Sequence, residues 1–154
     1  MTVVDAATFD RLAYQACAHP RGRTRLCLHD SHNEPVQQMV IALANHGYVP
    51  PHHGAGDGKT YTILAGRLAL VIFTTEGALA SATVLEAGGP RHLVHFAPQA
   101  WHTAVALSEA AVYLETAPGP YGGTAFAPWA PAEGTPAGEA FLAHLRGHAE
   151  RGTG

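Results

Sequence analysis

The chain has 154 residues, of which 47% are apolar and 14% charged, and its formal net charge is −3. This length and apolar content indicate one folded domain rather than a disordered chain, and the net negative charge argues against binding to a nucleic-acid backbone. Eleven residues are histidines, which are common metal ligands and proton carriers near neutral pH.

Membrane and disulfide signals are missing from the sequence. No apolar run is long enough to cross a bilayer, and the first residues lack the basic and apolar segments of a signal peptide. The two cysteines, Cys17 and Cys27, have no metal-type spacing and do not indicate a disulfide framework. We therefore expect a cytoplasmic protein with neither a membrane nor a nucleic-acid partner.

A short helix is predicted near the start of the chain. Leu12 and Ala16 share one face of residues 5–17, and Asp5 is suited to cap the first turn. The basic stretch 21–25 that follows is interpreted as a solvated turn, or alternatively as a contact for an anionic substrate.

Short extended segments separated by Gly, Pro and Asn predict strands from residue 26 onward. The predicted strands are 26–29, 36–43, 60–64, 68–74, 82–85, 93–96, 102–107 and 112–116. Evenly spaced short strands are typical of a sandwich or a closed barrel, and the lack of helices between them excludes a parallel α/β layout. Helix returns only at 138–151, after a Pro/Gly-rich stretch whose aromatic residues indicate a segment laid along the barrel.

Two histidines occur where this pattern favours a metal site. His52 follows Tyr48-Val-Pro-Pro, and His102 follows a strand and a Pro-containing turn. Because alternate side chains of a barrel strand point inward, both imidazoles could meet on the inner wall. Two such imidazoles with open positions would suit zinc or another divalent transition metal.

The order of several motifs resembles the cupin superfamily, and within it the WbuC-family cupin-fold metalloproteins. The resemblance covers nearly the whole chain, and its segments are Pro20-Arg-Gly-Arg23, Leu28-His-Asp-Ser-His32, Glu34-Pro-Val-Gln-Gln-Met39, 48–52, Gly66, Phe96-Ala-Pro-Gln-Ala-Trp-His102, 115–121 and 126–133. It implies an all-β fold, a cupin double-stranded β-helix or jelly-roll barrel, with short N- and C-terminal helices. Within a single domain, we assign 1–25 to the N-terminal helix and basic turn, 26–117 to the barrel, and 118–154 to a Pro/Gly-rich segment and C-terminal helix packed on it.

The chain also departs from the metal motif that this resemblance implies. Such cupins begin their site with His-x-His and add a glutamate before a glycine turn. Here His52 fills the first position, Gly54 stands at the second, and Lys59 falls at the glutamate position. A protonated lysine cannot bind a cation. We interpret Lys59 either as a surface residue or as an inward acid/base or anchor for a carboxylate or phosphate.

Replacement ligands and pocket residues can still be named. His53 would serve only if the strand shifted by one residue, and His95 is a second candidate ligand, with an outward, solvated histidine as the alternative. Glu115 could supply the missing carboxylate from the last barrel strand. A further candidate for catalysis is Tyr61, and the candidates for substrate binding are His29, His32, Gln38 and Tyr113. For His29 and His32, capping or turn roles are the alternative.

These residues predict a small metalloenzyme that acts on a small polar metabolite, with Zn, Fe, Ni, Cu or Mn as cofactor. The resemblance favours a sugar, sugar-nucleotide or amino-acid-derived intermediate in polysaccharide or natural-product biosynthesis, and it implies a homodimer. The alternative is a non-catalytic binding or sensing cupin that has lost its metal, since fold alone does not fix function.

Overall fold

The computed structural model describes residues 1–54 and 58–151, which form two helices and ten strands. The helices are α1 (Ala6–Ala18) and α2 (Pro136–Arg151). The strands are β1 (Arg23–Cys27), β2 (Val36–Ala44), β3 (His52–Gly54), β4 (Thr60–Ala65), β5 (Arg67–Phe73), β6 (Leu79–Glu86), β7 (Leu93–His95), β8 (Trp101–Ala106), β9 (Ala110–Pro118) and β10 (Thr124–Phe126). Every predicted strand overlaps an observed one, whereas β3 and β10 were not predicted.

The strands form two antiparallel sheets of five strands each. The first sheet has the order β1-β2-β9-β4-β7, and the second has the order β10-β3-β8-β5-β6. Strands adjacent in a sheet are often distant in the chain, as where β2 pairs with β9 over its whole length. This crossing between sheets agrees with the predicted jelly-roll architecture.

The inner faces of the sheets enclose an apolar core. Tyr61 and Ile63 of β4, Leu68 and Leu70 of β5, and Leu43 of β2 belong to this inner cluster. Each of these strands alternates inward and outward side chains, as expected for a sheet with one face buried. Towards one end the inner positions become polar, and there the barrel opens into a cavity.

Helix α1 covers the outer face of the first sheet. Its side chains Leu12 and Ala16 pack with Val40 and Val112, and the Asp5 carboxylate accepts the Thr8 backbone N–H at 2.9 Å. The predicted helix and its cap are both confirmed.

Helix α2 covers the outer face of the second sheet, where Leu142 and Leu145 pack with Val71 and Val105. The segment before it also lies on the barrel, since Trp129 Nε1 donates to the Thr75 carbonyl oxygen at 3.1 Å. Residues 152–154 of the predicted C-terminal segment lie outside the described residues.

The basic stretch 21–25 was predicted as a turn, and this prediction is wrong for most of it. β1 begins at Arg23 and pairs with β2 from there. Extended structure is compatible with the arginines because β1 is an edge strand and its long polar side chains can reach the open end of the barrel. In the described part of the chain, no helix combines the length and apolar character that crossing a membrane requires.

Candidate metal and substrate site

A cavity of about 700 Å³ lies at the open end between the two sheets. Its walls include His52 of β3, His102 of β8, Glu115 of β9 and Lys59, which immediately precedes β4. A volume of this size fits a small metabolite. Polar side chains from four separate parts of the barrel therefore converge on one space.

His52 and His102 are direct cross-strand partners, and their ring centroids lie 4.6 Å apart. The Nδ1 atom of His52 lies 3.0 Å from the Pro50 carbonyl oxygen, and that of His102 lies 2.7 Å from the Ala100 carbonyl oxygen. A carbonyl oxygen only accepts, so each Nδ1 must carry the proton. Each Nε2 is therefore left with a free lone pair.

Burial keeps both imidazoles neutral. It lowers the pKa of His52 to about 4, with the nearby Lys59 charge adding to the effect. It lowers the pKa of His102 to about 2, with His52 and then Lys59 adding to the effect. The Nε2 atom of His102 is buried and has no hydrogen-bond partner among the residues that the structure describes. An unpartnered buried acceptor of this kind calls for an occupant such as a metal ion or water.

Aromatic side chains hold the His102 ring in place. Phe96 stacks on it at a centroid distance of 4.3 Å, and Tyr61 approaches edge-on at 6.0 Å. Both aromatic rings are almost completely buried. The orientation of His102 is thus fixed by packing as well as by its hydrogen bond to Ala100.

Lys59, the only lysine of the chain, points into the cavity. Its Nζ lies 3.3 Å from Glu115 Oε1, and the two side chains are only 13% and 12% exposed. The same Nζ lies 5.4 Å from the centre of the Tyr61 ring. The interpretation of Lys59 as a surface residue is therefore wrong, and the inward alternative agrees with the structure.

Two tyrosines lie beside this ion pair. Tyr61 pairs with Glu115 across β4 and β9, and Tyr113 lies two positions before Glu115 on the same face. Burial raises the pKa of Tyr61 and of Tyr113 well above the usual value, and the charge of Glu115 adds to both effects. Both hydroxyls therefore stay protonated and can act as hydrogen-bond donors.

The structure does not bring His53 or His95 together with the histidine pair. His53 borders the cavity, but it follows His52 on β3, so its side chain leaves the strand on the opposite side, and its ring packs at 4.3 Å against Trp101. His95 pairs with Thr60, its Nδ1 lying 2.9 Å from the Thr60 hydroxyl. It is therefore on the opposite face from Val94 and Tyr61, which point into the barrel.

The predicted substrate residues are divided between the cavity and other surfaces. His29 and His32 line the cavity; His29 Nδ1 lies 2.9 Å from the Gln38 carbonyl oxygen, and the His32 ring contacts Tyr121 at 5.2 Å. Gln38 shares the outer face of β2 with Val40, and its amide donates to Thr116 at 3.3 Å. The cavity is instead lined by the neighbouring residue Gln37.

Among the cavity residues, Gln37 was not predicted, whereas Arg23 and Arg25 belong to the stretch 21–25, whose alternative interpretation was a contact for an anionic substrate. Gln37 could have been found by counting back in steps of two from Leu43, the inward residue of β2. Arg23 and Arg25 lie on the inner face of β1 and line the cavity. Their place on a strand was not expected, because the strand was predicted to begin only at residue 26.

The histidine pair fits a divalent transition metal, since neutral imidazole nitrogens suit these ions. Within residues 1–54 and 58–151, however, no three His, Cys, Asp or Glu side chains lie close enough together to hold a metal. Glu115 is the carboxylate of the cavity wall, and it is engaged by Lys59. The described residues thus offer two ligands, and the other coordination positions would fall to solvent or substrate.

Solved structures with similar folds are cupins. An oxalate oxidase in complex with the substrate analogue glycolate is 16% identical, with a TM-score of 0.59, and the match covers 89% of this chain and 77% of the other. Oxalate decarboxylase of Bacillus subtilis, described as having Mn(II) centres, is 12% identical with a TM-score of 0.51 over 60% of this chain and 24% of its own. Procruciferin, an 11S globulin from Brassica napus, is 12% identical with a TM-score of 0.51 over 60% of this chain and 23% of its own.

These similarities establish the cupin fold, and at such low identity they show the fold alone. The chain spans about a quarter of the oxalate decarboxylase chain. No curated protein matches it. A family model described as "Domain of unknown function (DUF6016)" matches residues 4–85. The chain is therefore a cupin-fold member of the DUF6016 family.

Proposed function

We propose that this chain is a small cupin metalloprotein in which the Nε2 atoms of His52 and His102 bind one divalent transition metal. The supporting observation is the buried Nε2 of His102, which has no partner within residues 1–54 and 58–151 and lies beside a second histidine with the same tautomer. Metal-bound histidines characteristically use one ring nitrogen as ligand and donate the other N–H to a carbonyl or carboxylate. The candidate metals are Zn, Fe, Ni, Cu and Mn.

The proposed activity is an enzymatic reaction on a small polar metabolite. A bound metal would polarise an oxygen atom of the substrate. Tyr61 and Tyr113 would donate hydrogen bonds to the substrate, because both tyrosine hydroxyls stay protonated. The Lys59–Glu115 pair lies where it could take up and return a proton within the cavity. Phe96 would exclude water from the buried side of the histidine pair.

The finer identity of the protein is also a proposal. The resemblance to WbuC-family cupins favours a sugar, sugar-nucleotide or amino-acid-derived substrate, in polysaccharide or natural-product biosynthesis. We also propose a single domain that works in the cytoplasm as a homodimer, with β1, an edge strand of the first sheet, as the natural contact.

A second candidate function is non-catalytic ligand binding or sensing. Two observations favour it: the small number of protein ligands in the described residues, and the cation Lys59, whose positive charge acts on both histidines. The Lys59 cation therefore opposes the binding of a metal cation at the histidine pair. Such a protein would keep the cavity and its polar wall without holding a metal.

Metal analysis distinguishes the two functions. The untagged protein would be incubated with each candidate metal, desalted and analysed by ICP-MS. We expect near-stoichiometric loading that is lost in His52→Ala and His102→Ala and kept in His144→Ala, an exposed histidine of α2. A Co²⁺ absorption spectrum typical of nitrogen ligands would provide a second readout. If the wild-type protein takes up none of these metals, the metalloprotein proposal is refuted and the binding function is favoured.

A further inference from the structure

Strand β1 places two arginines on the wall of the cavity. Arg23 pairs with Leu43, and Arg25 pairs with Ile41. Side chains of paired residues leave a sheet on the same side, and Leu43 and Ile41 belong to the inner cluster. Both arginines therefore project inward from the rim, and both line the cavity.

Arg25 has no acidic partner in the described part of the chain. The only interaction of its guanidinium there is a weak contact of 3.9 Å with the sulfur of Met39. The nearby carboxylates are already engaged, since Glu115 pairs with Lys59 and Glu133 pairs with two other arginines. A guanidinium that faces a cavity without an anion is available to bind one.

Arg23 is held in place and keeps one edge free. Its Nη1 donates to Glu133 Oε1 at 2.7 Å and to the Tyr48 carbonyl oxygen at 3.0 Å, and its Nη2 donates to Glu133 Oε2 at 3.0 Å. A guanidinium has five N–H groups in a planar fork. These bonds use both N–H groups of Nη1 and one of Nη2, so that Nε–H and the second Nη2–H remain for a ligand.

The charge near the cavity is positive although the whole chain is negative. Four cationic side chains, Arg21, Arg23, Arg25 and Lys59, line the cavity; among residues 1–54 and 58–151 they face two carboxylates, Glu115 on the cavity wall and Glu133 bound to Arg21 and Arg23. The surplus is therefore two positive charges, in a protein whose formal net charge is −3. A cleft with a charge opposite to that of its protein favours ligands of the complementary sign.

The geometry points to Arg23 and Arg25 as an oxyanion-binding subsite that receives a carboxylate or phosphate group of the substrate. Guanidinium groups bind both kinds of group through paired, charge-assisted hydrogen bonds. The inference rests on the proposed function, because it takes the cavity beside the histidine pair to be the substrate site. The substrate class then becomes a small metabolite with an anionic group at the rim and a polar group directed towards His52 and His102.

Binding of two small anions to metal-free protein tests this subsite. The chelator-treated protein, labelled with ¹⁵N, is titrated separately with inorganic phosphate and with succinate, and the Nε–H signals of arginine are followed by NMR. We expect the signals of Arg23 and Arg25 to shift. In Arg25→Gln the affinity for these anions should decrease about tenfold or more, the range for losing a charge-assisted hydrogen bond. The affinity of Arg25→Lys should lie between those of the wild type and Arg25→Gln.

The matched control is Arg91→Gln, an exposed arginine in the turn between β6 and β7, which should bind like the wild type. Tighter binding of phosphate would identify a phosphorylated ligand, and tighter binding of succinate a carboxylate; either supports the subsite. If neither anion binds, or if Arg25→Gln binds as tightly as the wild type while remaining folded by circular dichroism, the subsite is refuted. Because the protein is metal-free, this result is independent of whether the histidines bind a metal.

Discussion

Replacing Lys59 by methionine should weaken the metal-free protein and strengthen its binding of metal. The substitution leaves the Glu115 carboxylate buried without its partner. Removing one member of a buried ion pair costs about 3–5 kcal/mol, and we expect about 3 kcal/mol here, because the two side chains keep 13% and 12% of their exposure. The substitution would also remove the positive charge that acts on both His52 and His102, and with it the repulsion that opposes a metal ion at this pair.

Urea unfolding and calorimetric titration with Zn²⁺ measure these two effects. We expect Lys59→Met to lower the free energy of unfolding without metal, to recover much of it with Zn²⁺, and to bind Zn²⁺ at least about tenfold more tightly, equivalent to about 1.4 kcal/mol. Glu115→Gln should be destabilised with no recovery, because it leaves the Lys59 cation near the histidine pair without its partner.

The double variant Lys59→Met/Glu115→Leu serves as the control. Replacing a buried ion pair by apolar side chains of similar volume is often close to neutral, so this variant should be more stable than either single one. The reasoning would be refuted if both single variants unfolded within about 0.5 kcal/mol of the wild type, the usual range of surface substitutions. Unchanged Zn²⁺ affinity in Lys59→Met would refute the role assigned to the lysine charge.

Three further predictions concern the histidine pair and its supports. Folding lowers the pKa values of His52 and His102 from the ordinary value of 6.5 to about 4 and about 2. Between these values and pH 6.5 the unfolded chain binds more protons than the folded one. The free energy of unfolding should therefore be at its full value above pH 6.5 and decrease as the pH drops. Each histidine contributes up to about 1.4 kcal/mol per pH unit, and urea titrations at pH 7.5 and 5.5 should show a smaller loss in His52→Gln than in the wild type. Gly58→Ala should unfold at a lower urea concentration than the wild type, because the added Cβ would collide with the Phe96 carbonyl oxygen. Gly54→Ala should not, because its Cβ would meet no described atom within 4 Å. Phe96→Ala should cost about 3–5 kcal/mol and increase the solvent exchange of the His102 ring N–H measured by NMR; an unchanged exchange rate would argue against the stacking contact.

The histidine pair was accessible to sequence analysis because of its position in the strand pattern. The motif around His102 marks the start of a strand, and the inward direction follows from alternation. The overall fold followed from the spacing of strands and turns and from the resemblance to cupins. Both signals are local, so a single sequence contains them.

The face of the sheet from which an individual side chain projects depends on strand register, and a single sequence does not fix that register. Gln37 and Gln38 differ by one position, and a shift of one residue reverses the face. Lys59 lies just before β4, and its direction is set by the pairing of the next residues with β9. Short strands such as β3 and β10 have three residues each, too few for a periodic pattern.

The sequence left two interpretations of the stretch 21–25 open, a solvated turn and a contact for an anionic substrate, for a different reason. Arg23 and Arg25 look like a solvated turn because charged residues are rarely placed on the inner face of a strand. The position of Arg23 depends on Glu133, which is 110 residues away in the chain. A contact of such length leaves no trace in local sequence patterns.

The position of Lys59 has a practical consequence. Since it is the only lysine of the chain, amine-directed reagents have one side-chain target, and that target lies inside the cavity. Reductive methylation with ¹³C-formaldehyde would therefore introduce a single side-chain NMR reporter at the Lys59–Glu115 pair. Its chemical shift, and the rate at which it is labelled, would register occupancy of the cavity by any compound, even before the natural ligand is known.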